Sequence, residues 1–266
     1  TEFGMFVSLN DGESWERFQF NLPVTPITDI KVHQDDLVLS TMGRAFWVMD
    51  NLSPLRQRGD AMGAGGAHLF QPADAYRSRG GGRGGFGGGS PDQPQYSQAG
   101  AVIDYSLPST ASGLQLEILN AAGDVLRTFE SGGDGARTEQ AQEMRGPFQR
   151  TTGGARLENG RGVHRFLWDM TVTGPGGAGR GPTVAPGDYQ VRLTADGQTQ
   201  TRTFELLMDP RVAADGITVT HLQAQFDLGM EVLAAIADAG QTIQTLNGAM
   251  QRAADGSSLE DQLKEI

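Results

Sequence analysis

In residues 79–89 every position other than Arg79, Arg83 and Phe86 is glycine, and no other feature constrains the chain as strongly. Glycine loses the most backbone freedom on ordering and brings no side chain to bury, so such a run joins packed units without belonging to one. With 38 glycines and 12 prolines in 266 residues and a hydrophobic fraction of only 38%, the apolar residues have to be gathered into patches. The expected division is a β region over 1–57, a glycine-rich flexible linker over 58–98, a second β region over 99–209 and a helical region over 210–266.

Short apolar runs at residues 3–9, 15–20, 27–33, 36–40 and 46–49, separated by turn residues, predict five strands in the first region. The opening residues already read as a strand in progress, so more sheet is expected upstream. Two hairpins stand out in the third region. Strands at 114–119 and 125–129 flank Asn120-Ala121-Ala122-Gly123, and strands at 189–194 and 199–206 flank Ala195-Asp196-Gly197-Gln198, whose Asp-Gly pair supplies the positive φ of a type I′ turn. In Tyr189-Gln190-Val191-Arg192-Leu193 apolar and polar residues alternate, as required of a strand with one solvated face. An Ig-like β-sandwich follows from this pattern.

A long helix is expected from about residue 218, with Thr220 and Gln223 as a capping box. Leu222, Phe226, Met230, Leu233, Ile236, Ile243, Leu246 and Met250 recur every three or four residues and form one apolar stripe that needs a packing partner. The sequence Asp255-Gly256-Ser257-Ser258 reads as a turn into a second amphipathic helix that stops after barely two turns, giving a helical hairpin. The fold class expected overall is mainly β: a terminal propeller blade, an Ig-like sandwich and a C-terminal helical hairpin.

Charge and composition narrow the function. A formal charge of −11 opposes phosphate backbones, so nucleic acid is not an expected partner even though Arg79 and Arg83 in the glycine run give a superficial likeness to RNA-binding arginine–glycine segments. The absence of cysteine removes disulfides and thiolate metal sites. No run of about 18 apolar residues is present, so no membrane span is expected. His33, His68, His164 and His221 lack metal-ligand spacing, and no cofactor or metal is expected.

The sharpest motif is Ser8-Leu9-Asn10-Asp11-Gly12-Glu13-Ser14-Trp15. Asn10 is placed to bond back to the turn backbone, Gly12 to take a positive φ, and Trp15 to bury its ring beside the hairpin. With Ser8, Asn10, Gly12 and Trp15 at these offsets the segment resembles an Asp-box, the turn of BNR-type β-propellers found in sialidases, sortilin-type receptors and xyloglucanase-like hydrolases, with Asn10 in place of the commoner Asp. Thr41, Gly43, Arg44 and Trp47 are similar to the closing blade of large bacterial sortilin-like and glycosyl-hydrolase-like propeller proteins. His68-Leu69-Phe70-Gln71-Pro72 resembles the exit from such a propeller. Residues 99–209 resemble the Ig-like module of flagellar hook-capping proteins, through Leu116 to Gly123, Gly162 to Asp169 and Ala185-Pro186-Gly187-Asp188-Tyr189.

This resemblance implies a secreted or periplasmic bacterial protein whose upstream blades are the first partners of this chain, with a protein or glycan ligand. No complete catalytic site is expected. Asp11, Asp29, Asp35, Asp36 and Asp50 are the local carboxylates, and nothing in the sequence pairs one with a second acid as glycoside hydrolysis requires. Arg44 alone does not make the arginine cluster of a sialidase, and its structural reading is an ion pair with an acid such as Asp50 or a cap on backbone carbonyls. Gly176-Gly177-Ala178-Gly179-Arg180-Gly181 is read as a loop. Trp47 and Trp168 are the aromatics most like sugar platforms, but each sits in an alternating strand and reads as core. The reading is a non-catalytic scaffold and interaction region, the alternative being a glycoside hydrolase fragment whose carboxylates lie mostly upstream.

Overall fold

The computed structural model describes residues 1–63, 65–78, 99–131, 157–174 and 180–254. The glycine run, residues 175–179 and the second helix of the expected hairpin lie outside the described residues, and Arg180 and Gly181, expected in a loop, begin a strand that pairs with Thr171–Thr173.

The five strands expected at the N-terminus form, but in two sheets. Strands β1 (Phe6–Val7) and β2 (Glu16–Arg17) make a short antiparallel hairpin, and β3 (Ile27–His33), β4 (Asp36–Thr41) and β5 (Phe46–Met49) make a three-stranded antiparallel sheet. Pro23 and Pro26 fall between β2 and β3, where their missing N–H groups interrupt any continuous ladder. Gln34 and Asp35, with φ of 47° and 67°, make the two-residue turn from β3 to β4.

Register decides which residues share a face. Val32, Leu37 and Met49 are aligned across the sheet, as are Ile30, Leu39 and Trp47. On this face Leu37, Leu39, Trp47 and Met49 pack with Met5, Leu22 and Leu52, and Phe18 alongside, in a small core of their own, while Ile30 and Val32 on β3 stay exposed.

The second unit starts inside the stretch assigned to the linker. Its strands are β6 (His68–Leu69), β7 (Ala75–Arg77), β8 (Ala101–Leu107), β9 (Leu114–Asn120), β10 (Val125–Glu130), β11 (Gly162–Trp168), β12 (Thr171–Thr173), β13 (Arg180–Thr183), β14 (Gly187–Ala195) and β15 (Gln198–Met208). A five-stranded sheet of order β10-β9-β14-β15-β7 and a three-stranded sheet of order β11-β8-β6 enclose one core as a curled half-barrel.

Alternation builds that core. In β14 the side chains of Tyr189, Val191, Leu193 and Ala195 are buried, while Asp188 on the other face is exposed. Trp168 from β11, fully buried, meets Tyr189 and Phe204. Each such large apolar side chain contributes roughly 1.5–3 kcal/mol. Asp196 and Gly197 have the positive φ values, 47° and 84°, that the Asp-Gly turn implied.

Residues 67–77 form the seam between the sheets. His68 and Leu69 pair antiparallel with β8, and Ala75 to Arg77 pair parallel with β15. Between these points side chains replace main-chain pairing. Gln200 accepts from the Leu69 N–H at 2.9 Å and donates to the Ala67 carbonyl, Gln71 donates to the Thr203 carbonyl, and Asp74 accepts from the Glu205 N–H.

The short helices α1 (Ser53–Arg56) and α2 (Arg58–Gly63) link the units, and α3 (Pro210–Ala214) leads to α4 (Val219–Ala254). The cap of α4 comes from Thr218 and His221, two residues before the expected box: the His221 N–H donates to Thr218 Oγ1 and the Thr218 N–H to His221 Nδ1, both at 3.3 Å. Leu222 is buried, and Phe226 and Met230 pack on the main core. Gly229 lies against Pro182, where a Cβ would come within 2.9 Å of the ring, so glycine sets the approach of α4 to β13.

Beyond that contact the stripe is not covered by described residues. Ile236, Ile243 and Leu246 are 57–60% exposed. At 36 residues α4 is about 54 Å long, well beyond the reach of the four-residue β13. No described helix is long and apolar enough to cross a membrane.

Candidate functional site

Residues Ser8 to Ser14 form a closed polar turn. The Gly12 N–H donates to Ser8 Oγ at 2.7 Å and the Ser14 N–H to Asn10 Oδ1 at 2.9 Å, while Asn10 Nδ2 donates to Ser14 Oγ. Ser8 Oγ donates in turn to Asn10 Oδ1 at 3.0 Å, and Gly12 has φ +92°. Trp15 departs from expectation: its ring is 64% exposed. The hairpin that holds it has only two strands, so the face on which Trp15 stands meets no second layer among the described residues.

The polar centre of the molecule lies between the units, on residues that sequence reading left unmarked. Asp104 is on β8 and Arg165 lies directly opposite on β11. The guanidinium grips the carboxylate through Nε to Oδ1 at 2.8 Å and Nη2 to Oδ2 at 3.1 Å. From the N-terminal unit, Asn51 donates its amide to Asp104 Oδ2 at 2.9 Å, and Arg165 Nη1 reaches the Asp50 carbonyl at 3.2 Å. Asp104 belongs to the outward face of β8, yet it is 3% exposed because the N-terminal unit covers it. The hydrogen bonds to Asp104 raise the Arg165 pKa, against the desolvation that opposes them.

The backbone of Asn51 is part of the same device. Its φ of +61° is a left-handed conformation that asparagine tolerates better than most residues. In that pose its N–H takes Asp36 Oδ1 at 2.9 Å and its Oδ1 accepts from the Ser53 N–H. The next residue, Leu52, bonds the Asp35 carbonyl, and Arg56 pairs with the Asp35 carboxylate at 2.8 Å. Residues 50–56 thus tie the β3–β4 turn to the second unit.

A cleft of about 270 Å³ opens beside this joint, lined by Phe18, Phe20, Trp47, Met49, Asp50 and Arg165. Such size and lining are near the lower end for ligand sites, and inter-unit position is where they occur. Trp47 is half-buried: it packs against the small core, donates Nε1 to the Arg44 carbonyl at 2.8 Å and shows the cleft part of its ring. Trp168 is core, its Nε1 satisfied by the Thr171 carbonyl at 3.0 Å.

A second cavity, of about 420 Å³, lies where α4 meets β13. Its polar groups bond to one another. Asp169 takes Arg127 at 2.8 Å and Arg180 at 3.0 Å, and Arg77 donates to the Val184 carbonyl and to Gln225. This is an ion-paired joint between helix and sheet.

The other carboxylates considered from sequence have local duties. Asp29 accepts from the Ile30 N–H, and Asp35 and Asp36 hold the turn and joint described above. Asp11 stands in the Ser8–Ser14 turn with φ +56°. Of the histidines, His164 bonds the Gly160 carbonyl, His221 caps α4, His33 is exposed and His68 is buried with no partner for Nε2 among the described residues. Among the described residues no group of three or more His, Asp or Glu is arranged to hold a metal ion. Comparison with family models, curated proteins and solved structures gives no match to this chain.

The missed residues did carry a signal. Asp104 is a charged residue in an otherwise uncharged strand, Ala101 to Leu107, and Arg165 stands in a strand otherwise rich in apolar side chains. A charge in each of two strands that pair is a candidate cross-strand ion pair, but their pairing is visible only in the fold.

Proposed function

We propose that this chain is a non-catalytic recognition and scaffold region of a secreted or periplasmic Asp-box propeller protein, in which residues 1–52 supply propeller sheets and residues 67–208 form an Ig-like sandwich. Support for the first part comes from the sequence resemblance and from the bonds that close the Ser8–Ser14 turn. Support for the second comes from strand order. An edge segment shared between the two sheets, with β7 parallel to β15, and a Tyr189 hydroxyl bonded to the Ala185 carbonyl at 2.6 Å near the start of β14, are features that Ig-like sandwiches and their tyrosine corners share.

The observation that carries the functional reading is the buried Asn51–Asp104–Arg165 joint. It devotes the polar groups between the units to holding one against the other, which suits a rigid support that presents surfaces to upstream blades and to a protein or glycan ligand. The test is to incubate the full chain with xyloglucan and sialylated oligosaccharides and to measure both binding and sugar release. Binding without release supports a recognition module. Release of reducing sugar or sialic acid that is lost when Asp50 or Asp29 is replaced by Asn would replace it with the hydrolase reading.

A further inference from the structure

The three-stranded N-terminal sheet ends on β5, and no described strand pairs with its outer edge. An unpaired edge is a row of backbone donors and acceptors ready for another strand. The opposite edge is guarded. Asp29, Lys31 and His33 stand along β3, and the Ile27 N–H is already bonded to the Thr1 carbonyl at 3.0 Å. Strand β5, Phe46-Trp47-Val48-Met49, carries no charge at all.

The cleft is an independent observation at the same strand. Its wall includes Trp47 and Met49, from the inner face of β5, and also Val48, which is aligned with Val38 on the other face. The cleft thus lies on the inner face of the sheet alongside β5, with Trp47, Val48 and Met49 in succession along its wall. Exposed apolar surface gathers there as well: Phe46 is 77% exposed, Val48 53%, and Phe20, on the far rim of the cleft, 74%.

The geometry points to β5 as an acceptor edge, on which an extended segment of a partner protein adds as a fourth strand and seats one apolar side chain in the cleft between Trp47 and Phe20. Main-chain bonds along the edge supply affinity and the cleft supplies specificity. Because Phe46 and Val48 line one face and Trp47 and Met49 the other, the segment that fits is apolar or β-branched at successive positions. Arg44 precedes β5 and Asp50 follows it. An antiparallel segment with an acidic residue after its apolar stretch therefore meets the opposite charge of exposed Arg44, and a basic residue before that stretch lies on the side of Asp50, whose charge already acts on Arg165. This goes beyond the proposed function and does not rest on it, since no described strand pairs with this edge whether or not the sheets belong to a propeller.

The experiment titrates the full chain with a short capped peptide in which valine and threonine alternate between an N-terminal lysine and a C-terminal glutamate, read by hydrogen exchange. At saturation the alternate amides within Phe46–Met49 whose N–H groups face away from β4 are expected to gain about tenfold protection, and V48K to weaken binding about tenfold by placing a charge on the edge. F20S, at an exposed rim position, is expected to weaken binding without moving the melting temperature, and the peptide with its end charges exchanged binds less well. Three results would overturn the assignment. One is saturation without protection at β5; another is protection confined to β3 or β10. The third is protection at β5 that arises without peptide as dimer mass increases, which would make a second copy the occupant.

Discussion

The side-chain amide of Asn51 and the carboxylate of Asp104 meet at 2.9 Å in a buried contact across 53 residues of sequence, and they join the two β units of the molecule. Removing the carboxylate takes the acceptor from the Asn51 amide and from Nε and Nη2 of Arg165, leaving the guanidinium only its Nη1 contact to the Asp50 carbonyl. Asp104→Ala is therefore expected to cost about 2–3 kcal/mol, less than a fully buried pair because the Arg165 side chain is 44% exposed. At Asn51 the backbone separates two effects. Asn51→Gly keeps the left-handed φ and loses only the amide, whereas Asn51→Ala adds about 1 kcal/mol of strain. Urea denaturation of the three variants, followed by tryptophan fluorescence, checks the order.

Tyr189 gives a second test. Its hydroxyl is bonded to the Ala185 carbonyl inside the core, and burial pushes its pKa up to about 12, as it does for Tyr105. Tyr189→Phe is expected to lose about 1–2 kcal/mol by orphaning that carbonyl while leaving the packing on Trp168 intact. A tyrosine whose folded pKa is raised contributes stability that is present below the unfolded value near 10 and is lost as pH rises towards 12. Absorbance titration at alkaline pH should show these two rings ionising last, together with unfolding.

His68 contributes to the response to mild acid. Burial lowers its pKa, the charge of Arg202 lowers it further and Asp60 opposes them. Between that lowered value and the ordinary 6.5 the unfolded chain binds more protons than the folded one, so stability rises with pH across this window. What the neutral ring contributes is complete above 6.5 and is lost as pH falls through the folded pKa. Comparing urea midpoints at pH 7.5 and pH 5 should show a drop in the parent protein that is smaller in His68→Leu.

The helix α4 is expected to respond to mutation in two regimes. Leu222→Ala opens a cavity at a buried position and should cost about 2–3 kcal/mol. Ile243→Ala, at a side chain 57% exposed, should change stability by less than about 0.5 kcal/mol. Thermal melts of both variants read this directly, and a large loss at Ile243 would mean that its face is covered in solution.

What sequence alone made legible was local. Alternation located both hairpins of the second unit, and Asp196-Gly197 supplied the positive φ of a tight turn. Gly12 and Asn10 occupied the turn roles that their chemistry implied. What stayed hidden was set by partners far along the chain. Strands β6 and β7 are two and three residues long and adjoin the glycine-rich run, and only their pairing with β8 and β15 makes them strands. The motif implies a Trp15 ring buried beside the hairpin, whereas among the described residues nothing covers it and it stands 64% exposed. Thr218 caps α4 in place of Thr220 because both the His221 N–H and its ring fall within reach of it.

The stitching of residues 67–77 along β15 also fixes a timetable. Leu69 and Gln200, bonded in the finished seam, are 131 residues apart. A ribosome adding about 5–20 residues per second therefore needs at least several seconds between making the first side of the seam and the last. Throughout that interval β7 has no strand to lie beside, and long-range pairings of this kind are slow to form even once both halves exist. Synthesis of β15 is thus the event that commits the second unit to its native topology, and chains halted before it should be the ones that chaperones hold.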